Sequence, residues 1–279
     1  MSSSISRRSL LTASCALTLS TVVSSAGFAA QDDLAATIAS RRLRVVVPSF
    51  NSQPFFSDQA GQVVGIDVEL AQGLAAALEL ELDFDRRPQT FNDAVSILAN
   101  GEADLAICKL SRTLSRARVI QYSQPYVKLN HGLIVNRVRF AAMAGIRPPE
   151  SVIRGFNGQL GVIAKSSFVE FAKHNFPDAK LTQFDDWAHV LDAIRDGGID
   201  AAYRDEFEIK KVLVDDPSLT IVARSVTLSD LTDTIGIGIA PERPRLAAFI
   251  DLYMALSNRA KPMTADEALA YYKSVQHKS

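Results

Sequence analysis

The sequence predicts an α/β fold built as two similar lobes, and three observations carry that expectation. Segments of strand and helix periodicity alternate along nearly the whole chain after residue 30, the pattern of mainly parallel sheets with helices on their faces. A short signature occurs once in each half: Gly101-Glu-Ala-Asp104 runs into Leu-Ala-Ile and Gly197-Gly-Ile-Asp200 into Ala-Ala-Tyr, each a helix end at glycine followed by a turn and a strand. The length, 279 residues with 47% hydrophobic and 22% charged, is enough for two domains of ordinary size with a large core.

The elements follow in order. Leu43 to Val47 is a β-branched run suited to a strand buried on both faces, and a polar loop with two prolines comes after it. In the next helix Ile66, Leu70, Leu74 and Leu78 recur every four residues, and Asp67 is the expected N-cap. Leu80, Leu82 and Phe84 alternate with acids and read as a strand. A helix over Phe91 to Ala99 ends at Asn100-Gly101 and leads into a strand from Ala103 to Cys108. The second half repeats the plan, with strands at Leu160 to Ile163, Leu181 to Phe184 and Ile199 to Tyr203, and helices at Ser167 to Asn175 and Asp186 to Asp196. Two connections between lobes are expected, near His131 to Arg137 and near Thr234 to Ala240. The expected division is lobe one over 31–136, lobe two over 137–235, and a return of 236–279 whose helices from Arg245 onward rejoin lobe one.

Residues 1–30 read differently. Arg7 and Arg8 precede a short apolar run from Leu10 to Val23, and small residues close it at Gly27 to Ala30, the pattern of a signal peptide cleaved near Ala29 or Ala30. Ser6 to Leu11 (SRRSLL) is also close to a twin-arginine export pattern, so both export routes stay open. Thr12 to Cys15 is a poor lipoprotein signal. No later apolar run approaches the roughly 20 residues of a membrane span. Removing Arg7 and Arg8 leaves 28 basic against 31 acidic residues, a formal charge of −3 that does not suggest nucleic acid. Cys108 is then the sole cysteine, so no intrachain disulfide is expected, and no cofactor or metal is.

Three segments, GIDVELAQGLAAALEL, TFNDAVSILANGEADLAI and LSRTLSRARVIQYSQPY, lie in order between Gly65 and Tyr126. With GVIAKSS at Gly161 to Ser167 and GGIDAAYRDE at Gly197 to Glu206, they resemble the family 3 extracytoplasmic solute-binding proteins over nearly all of the chain after the leader. The resemblance implies a type II periplasmic-binding-protein fold joined by two hinge strands. It implies a periplasmic receptor, expected to be a monomer, that closes on a small solute, usually an amino acid, and hands it to an ABC importer.

It also implies the site. Arg116, in the pattern of Ser111, Thr113 and Arg116, matches the arginine that forks onto the solute carboxylate, and Ser111 the hydroxyl beside it; guanidinium geometry suits that bidentate task. Ser167 matches the hydroxyl of the other lobe at a helix start, with Ser166 beside it and Glu170 placed for a capping box. Asp205 matches the acid that receives an α-ammonium, or it caps the following helix. Phe91 and Phe50 match aromatic walls, with Asn51 an alternative to Phe50 because that loop is one residue longer than in many relatives. Phe55 and Phe84 are expected in the core. Three departures from the family pattern stand near the ligand: Lys109, Cys108 and Lys165. Lys109 follows a strand end at the cleft edge, so its ammonium either meets an acidic solute or pairs with a nearby acid. The alternatives to a transport receptor are an enzyme like the cyclohexadienyl dehydratases on the same fold, and a ligand sensor for a membrane receptor. Against the enzyme, the position just behind the Gly-Thr pair of lobe two holds no acid here, Glu170 being displaced along the helix. His131, His174, His189 and His277 have no metal-ligand spacing.

Overall fold

The computed structural model describes residues 32–257, 259 and 261–276; the expected leader, Cys15 and His277 lie outside them. The chain opens with α1 (Asp33–Ala39), β1 (Arg42–Val46), the hairpin β2 (Ser57–Gln59) and β3 (Gln62–Val64), α2 (Ile66–Ala77), β4 (Glu81–Asp85), α3 (Phe91–Ala99), β5 (Leu105–Ala106) and α4 (Leu114–Ala117). The long strand β6 (Gln121–Asn136) leads to α5 (Arg137–Ala144), α6 (Pro149–Arg154), β7 (Gln159–Ile163), α7 (Ser167–Asn175), β8 (Lys180–Phe184), α8 (Trp187–Arg195), β9 (Ala201–Asp205), α9 (Glu206–Asp215) and α10 (Leu219–Val222). A second long strand, β10 (Ala223–Ile239), returns to α11 (Pro244–Leu256) and α12 (Ala265–Gln276).

Sheet order explains the two-lobed form. The order is β4-β1-β5-β10-β6-β9-β7-β8. β4, β1 and β5 are parallel, as are β8, β7 and β9, and the antiparallel pair β10 and β6 joins the two sets. β6 enters the first core with Val127 and Leu129 and the second with Leu133 and Val135; β10 passes back between Leu231 and Ile235. The first crossing therefore falls near residue 130, earlier than the expected boundary at 136, because His131 to Val135 already pair with β9. Parallel sheets bind ligands outside the carboxyl ends of their strands, and here those ends from both sets converge.

Local signals set the element starts. Thr90 caps α3 through a capping box with Asp93, and Asp186 caps α8. The expected Asp67 cap is a correction: α2 starts from Gly65 at φ 132, where a Cβ would meet the Phe55 carbonyl at 2.4 Å, and no side chain caps it. Asp67 is buried and turned inward instead. The capping box at Ser167 is likewise absent; Ser166 stands at the N-cap of α7 without a capping hydrogen bond. The expected strand to Cys108 shrinks to two residues, because the chain turns at Lys109 with φ 52. Phe55 is fully buried in the first core, with Phe84 packed half-buried against it. Cys108 is a free buried thiol, and burial pushes its pKa well up. Among the described residues no helix is long and apolar enough to cross a membrane, and no cluster of His, Cys, Asp and Glu is suited to a metal.

Candidate functional site

Three strand ends and the middle of β10 build one cavity. The turn after β5 supplies Lys109 and Ser111, and the one-turn helix α4 supplies Arg116, with Thr113 as its cap. The end of β7 supplies Ser166 and Ser167, the end of β9 supplies Arg204 and Asp205, and β10 supplies Asp233. Phe91, at the start of α3, completes the wall with Ile163, Phe168, Tyr203 and Ile235. The open space within it is small, about 30 Å³. A larger pocket of about 430 Å³ adjoins it across Phe91, Ile163 and Arg204, and Phe50, Asn51, Trp187 and Lys165 line it. Phe50 thus lies outside the small cavity and packs edge-on against Phe91 at 5.3 Å, so the pair forms one aromatic wall of the larger pocket.

Arg116 is buried and held in plane. Its Nε and Nη2 donate to Asn92 Oδ1 at 3.3 and 3.0 Å, and its Nη1 donates to the Ser111 carbonyl at 3.1 Å. A guanidinium has five donors, so capacity remains for an anion. Across the cavity, Ser167 Oγ donates to Ser111 Oγ at 2.9 Å, and outside it Ser115 Oγ donates to Glu170 Oε2 at 2.5 Å, so hydroxyls tie the two halves together. Ser166 Oγ turns back to the Ile163 carbonyl at 2.6 Å.

Lys109 does not wait for a solute anion. Its Nζ reaches Asp205 Oδ2 at 2.9 Å and Glu208 Oε1 at 2.8 Å, and lies 5.1 Å from the ring centres of Phe55 and Phe207. Of the two expectations for Lys109, an acidic solute or a nearby acid, the structure shows the second, since buried ammonium is stabilised as well by a protein carboxylate as by a ligand's. Arg204 completes the cluster, 3.8 Å from Asp205 and 3.5 Å from Glu208, with its guanidinium 5.1 Å over the Trp187 ring. Burial acts to raise the Glu208 carboxyl, but Arg204 and Lys109 outweigh it and hold the group below its usual range. Both Asp205 oxygens already have a protein donor: Oδ2 meets Lys109, and Oδ1 accepts the Glu208 N–H at 3.1 Å, capping α9.

Two acids of this region, Asp67 and Asp233, were not among the candidate site residues. Asp67 accepts the Lys109 N–H at 2.6 Å and the Tyr126 hydroxyl at 2.8 Å, pinning the turn, and burial raises its carboxyl to about 7. Asp233 accepts the Ser111 hydroxyl at 2.7 Å through Oδ2, its Oδ1 has no hydrogen-bond partner, and burial again raises the carboxyl to about 7. A signal for Asp233 was present: it is in phase with Ile235, Ile237 and Ile239, the core-facing period of β10. The buried indole N–H of Trp187 is also without a partner beside the larger pocket, and nothing in the sequence around it marked that.

With this geometry, the relatives become informative. Residues 43–141 match the family model described as bacterial extracellular solute-binding proteins, family 3. The chain is 25% identical to the putative ABC transporter arginine-binding protein 2 of Escherichia coli over 67% of its own length and 72% of the relative's. It is 24% identical to the probable histidine-binding protein of Neisseria gonorrhoeae over 78% of each. The fold superposes on the crystal structure of the ancestral amino acid-binding protein AncCDT-1, a precursor of cyclohexadienyl dehydratase, with a TM-score of 0.65 at 20% identity, covering 86% of this chain and 99% of that one. A family match over residues 43–141, relatives that run through both halves, and a type II periplasmic-binding-protein fold make this chain similar to the bacterial extracellular solute-binding proteins, family 3.

Proposed function

We propose that this protein is an extracytoplasmic receptor that captures a small carboxylate-bearing solute, an amino acid, between its lobes and delivers it to an ABC importer. One observation carries the reading. Arg116 is buried at 6% exposure with donors to spare, in a cavity whose other polar groups come from strand ends of both halves. A fixed guanidinium facing hydroxyls from the opposite lobe suits a carboxylate that bridges the two. The relatives named for arginine and histidine support a solute of the amino-acid class. The larger pocket, with Phe50, Phe91 and Trp187 on its walls, is where a solute side chain would extend. The family's setting supports export, with the leader removed near Ala29 or Ala30. The protein acts alone, as a monomer, until it meets the importer's membrane subunits.

The enzyme alternative is weaker because Glu170 lies on the outer rim with Ser115 and does not line the cavity that holds Arg116 and Asp205. A thermal-shift screen over the twenty L-amino acids, followed by calorimetry, tests the reading; a bound solute raises apparent stability by mass action. At least one amino acid should bind, and small-angle scattering should then report a radius of gyration no larger than that of the free protein. If no amino acid or small organic acid binds, the receptor reading fails; turnover of the bound solute would replace it with the enzyme.

A further inference from the structure

Lys109 changes the charge arithmetic of the site. Lys109 and Arg204 face Asp205 and Glu208, two cations against two anions within 3.8 Å of one another. That cluster is neutral and internally satisfied, and its ammonium is tethered: the Lys109 N–H is fixed by Asp67, and its side chain lies between two phenylalanine faces. Asp205 therefore already has an ammonium partner supplied by the protein itself.

What remains is one cation and one acid, Arg116 and Asp233. Asp233 is 2% exposed, shares Ser111 with the cavity, and keeps one carboxylate oxygen without a donor. A buried carboxylate oxygen left unpartnered is costly, and it is tolerated where a ligand supplies the missing donor. We infer that Asp233, in place of Asp205, receives the ammonium of a zwitterionic solute whose carboxylate rests on Arg116. The inference rests on the receptor reading above and deepens it. It accounts for two observations together: the site tolerates a lysine at position 109, and it leaves an acid half-satisfied on the hinge strand β10. Being on β10, Asp233 also couples solute charge to the segment that crosses between lobes.

Proton linkage follows. With its carboxyl raised to about 7 by burial, facing Ser111, Asp205, Lys109 and Arg116, Asp233 is mostly protonated at pH 6. An arriving ammonium stabilises the ionised form, so binding at pH 6 releases a proton.

The experiment uses the full mature chain and calorimetry. The tightest-binding of the twenty L-amino acids is compared with its desamino acid, for example L-arginine with 5-guanidinopentanoate or L-alanine with propionate. Wild type should prefer the amino acid by at least tenfold, and D233N should lose most of that preference. D233N should melt no lower than wild type at pH 8, since it removes a buried charge, which separates lost recognition from lost folding. Wild type alone gives a second readout: titrations at pH 6 in two buffers of different ionisation enthalpy should report proton release. The inference is overturned if D233N keeps the wild-type preference, if wild type prefers the desamino acid, or if no proton is released at pH 6. Failure of every amino acid and desamino acid to bind wild type would remove the receptor reading itself, and this inference with it.

Discussion

The two rims of the cavity carry the same device with opposite outcomes. After β5 the chain reads Lys109-Leu110-Ser111, after β7 it reads Lys165-Ser166-Ser167, and both lysines adopt the left-handed conformation, at φ 52 and φ 54. That conformation is why glycine is the easy residue at both places, and the lysines bear its cost of about 1–2 kcal/mol each. Lys109 is 5% exposed and enclosed by acids and aromatic faces, whereas Lys165 is exposed at the mouth of the larger pocket. The backbone is shared, so the difference lies in what the rest of the fold places opposite: α9 brings Asp205 and Glu208 against one lysine, while the other faces open space.

The largest expected effect breaks this comparison at Lys109. Lys109→Met should lower stability in urea by roughly 3–5 kcal/mol, because it removes the ammonium that contacts both buried acids, Asp205 and Glu208. Lys165→Met should change stability by less than about 0.5 kcal/mol, as surface substitutions do. Equal losses would mean the two rims differ less than their burial indicates.

Next in size, Arg116→Ala should cost about 2–5 kcal/mol of binding by leaving the solute carboxylate desolvated and unpaired, with Arg116→Lys recovering only part. Unchanged affinity by calorimetry would take Arg116 out of the site.

Ser167→Ala sharpens the comparison from the second rim. Loss of its hydrogen bond to Ser111 should cost about 0.5–1.5 kcal/mol, read as weaker solute binding and little change in the melting temperature of the free protein. A large melting shift would mean that Ser167 serves the fold and not the cavity.

A further effect is in the pH profile of stability. Asp67 and Asp233 have carboxyls raised to about 7 by burial, so the folded protein holds more protons than the unfolded chain between about 4 and 7, and each makes stability fall as pH rises through that window. His131, buried among Phe168, Phe171 and Tyr203, is lowered to about 4 by burial, so the unfolded chain holds more protons between about 4 and 6.5, and stability rises with pH there. The two acids outweigh the one histidine, so wild-type stability declines as pH rises from about 4 to 7. Asp233→Asn should flatten it, and a denaturation series from pH 4 to 8 that shows no change in slope would contradict the burial of that charge.

Much of the fold was legible because its causes are local. The helices over Phe91–Ala99 and Ser167–Asn175 coincide with the expected spans, since apolar spacing and the turn residues at their ends act within a few residues. Arg116, Ser111, Ser166, Ser167, Asp205, Lys109 and Phe91 line one cavity, whereas Phe50 and Lys165 line the adjoining pocket and Cys108 packs in the first core. Roles were harder to read than positions. Asp67 looked like a cap from its place before an apolar stripe, yet a glycine with no room for a Cβ starts that helix and frees the acid for Lys109 and Tyr126. Ser167 and Glu170 had capping-box spacing, yet each finds a partner on the other rim, Ser111 and Ser115.

By itself the sequence determined the alternating elements, the repeated glycine turns, the charge balance and the residue types at the strand ends, because periodicity, caps and turns depend on near neighbours. Only the tertiary structure decided how the charges are divided. Lys109 meets Asp205 and Glu208 across nearly a hundred residues of chain, and Ser111 meets Asp233 across more than that. Which acid is satisfied and which is left with an open oxygen depends on packing two lobes around two crossing strands, and no local pattern encodes it.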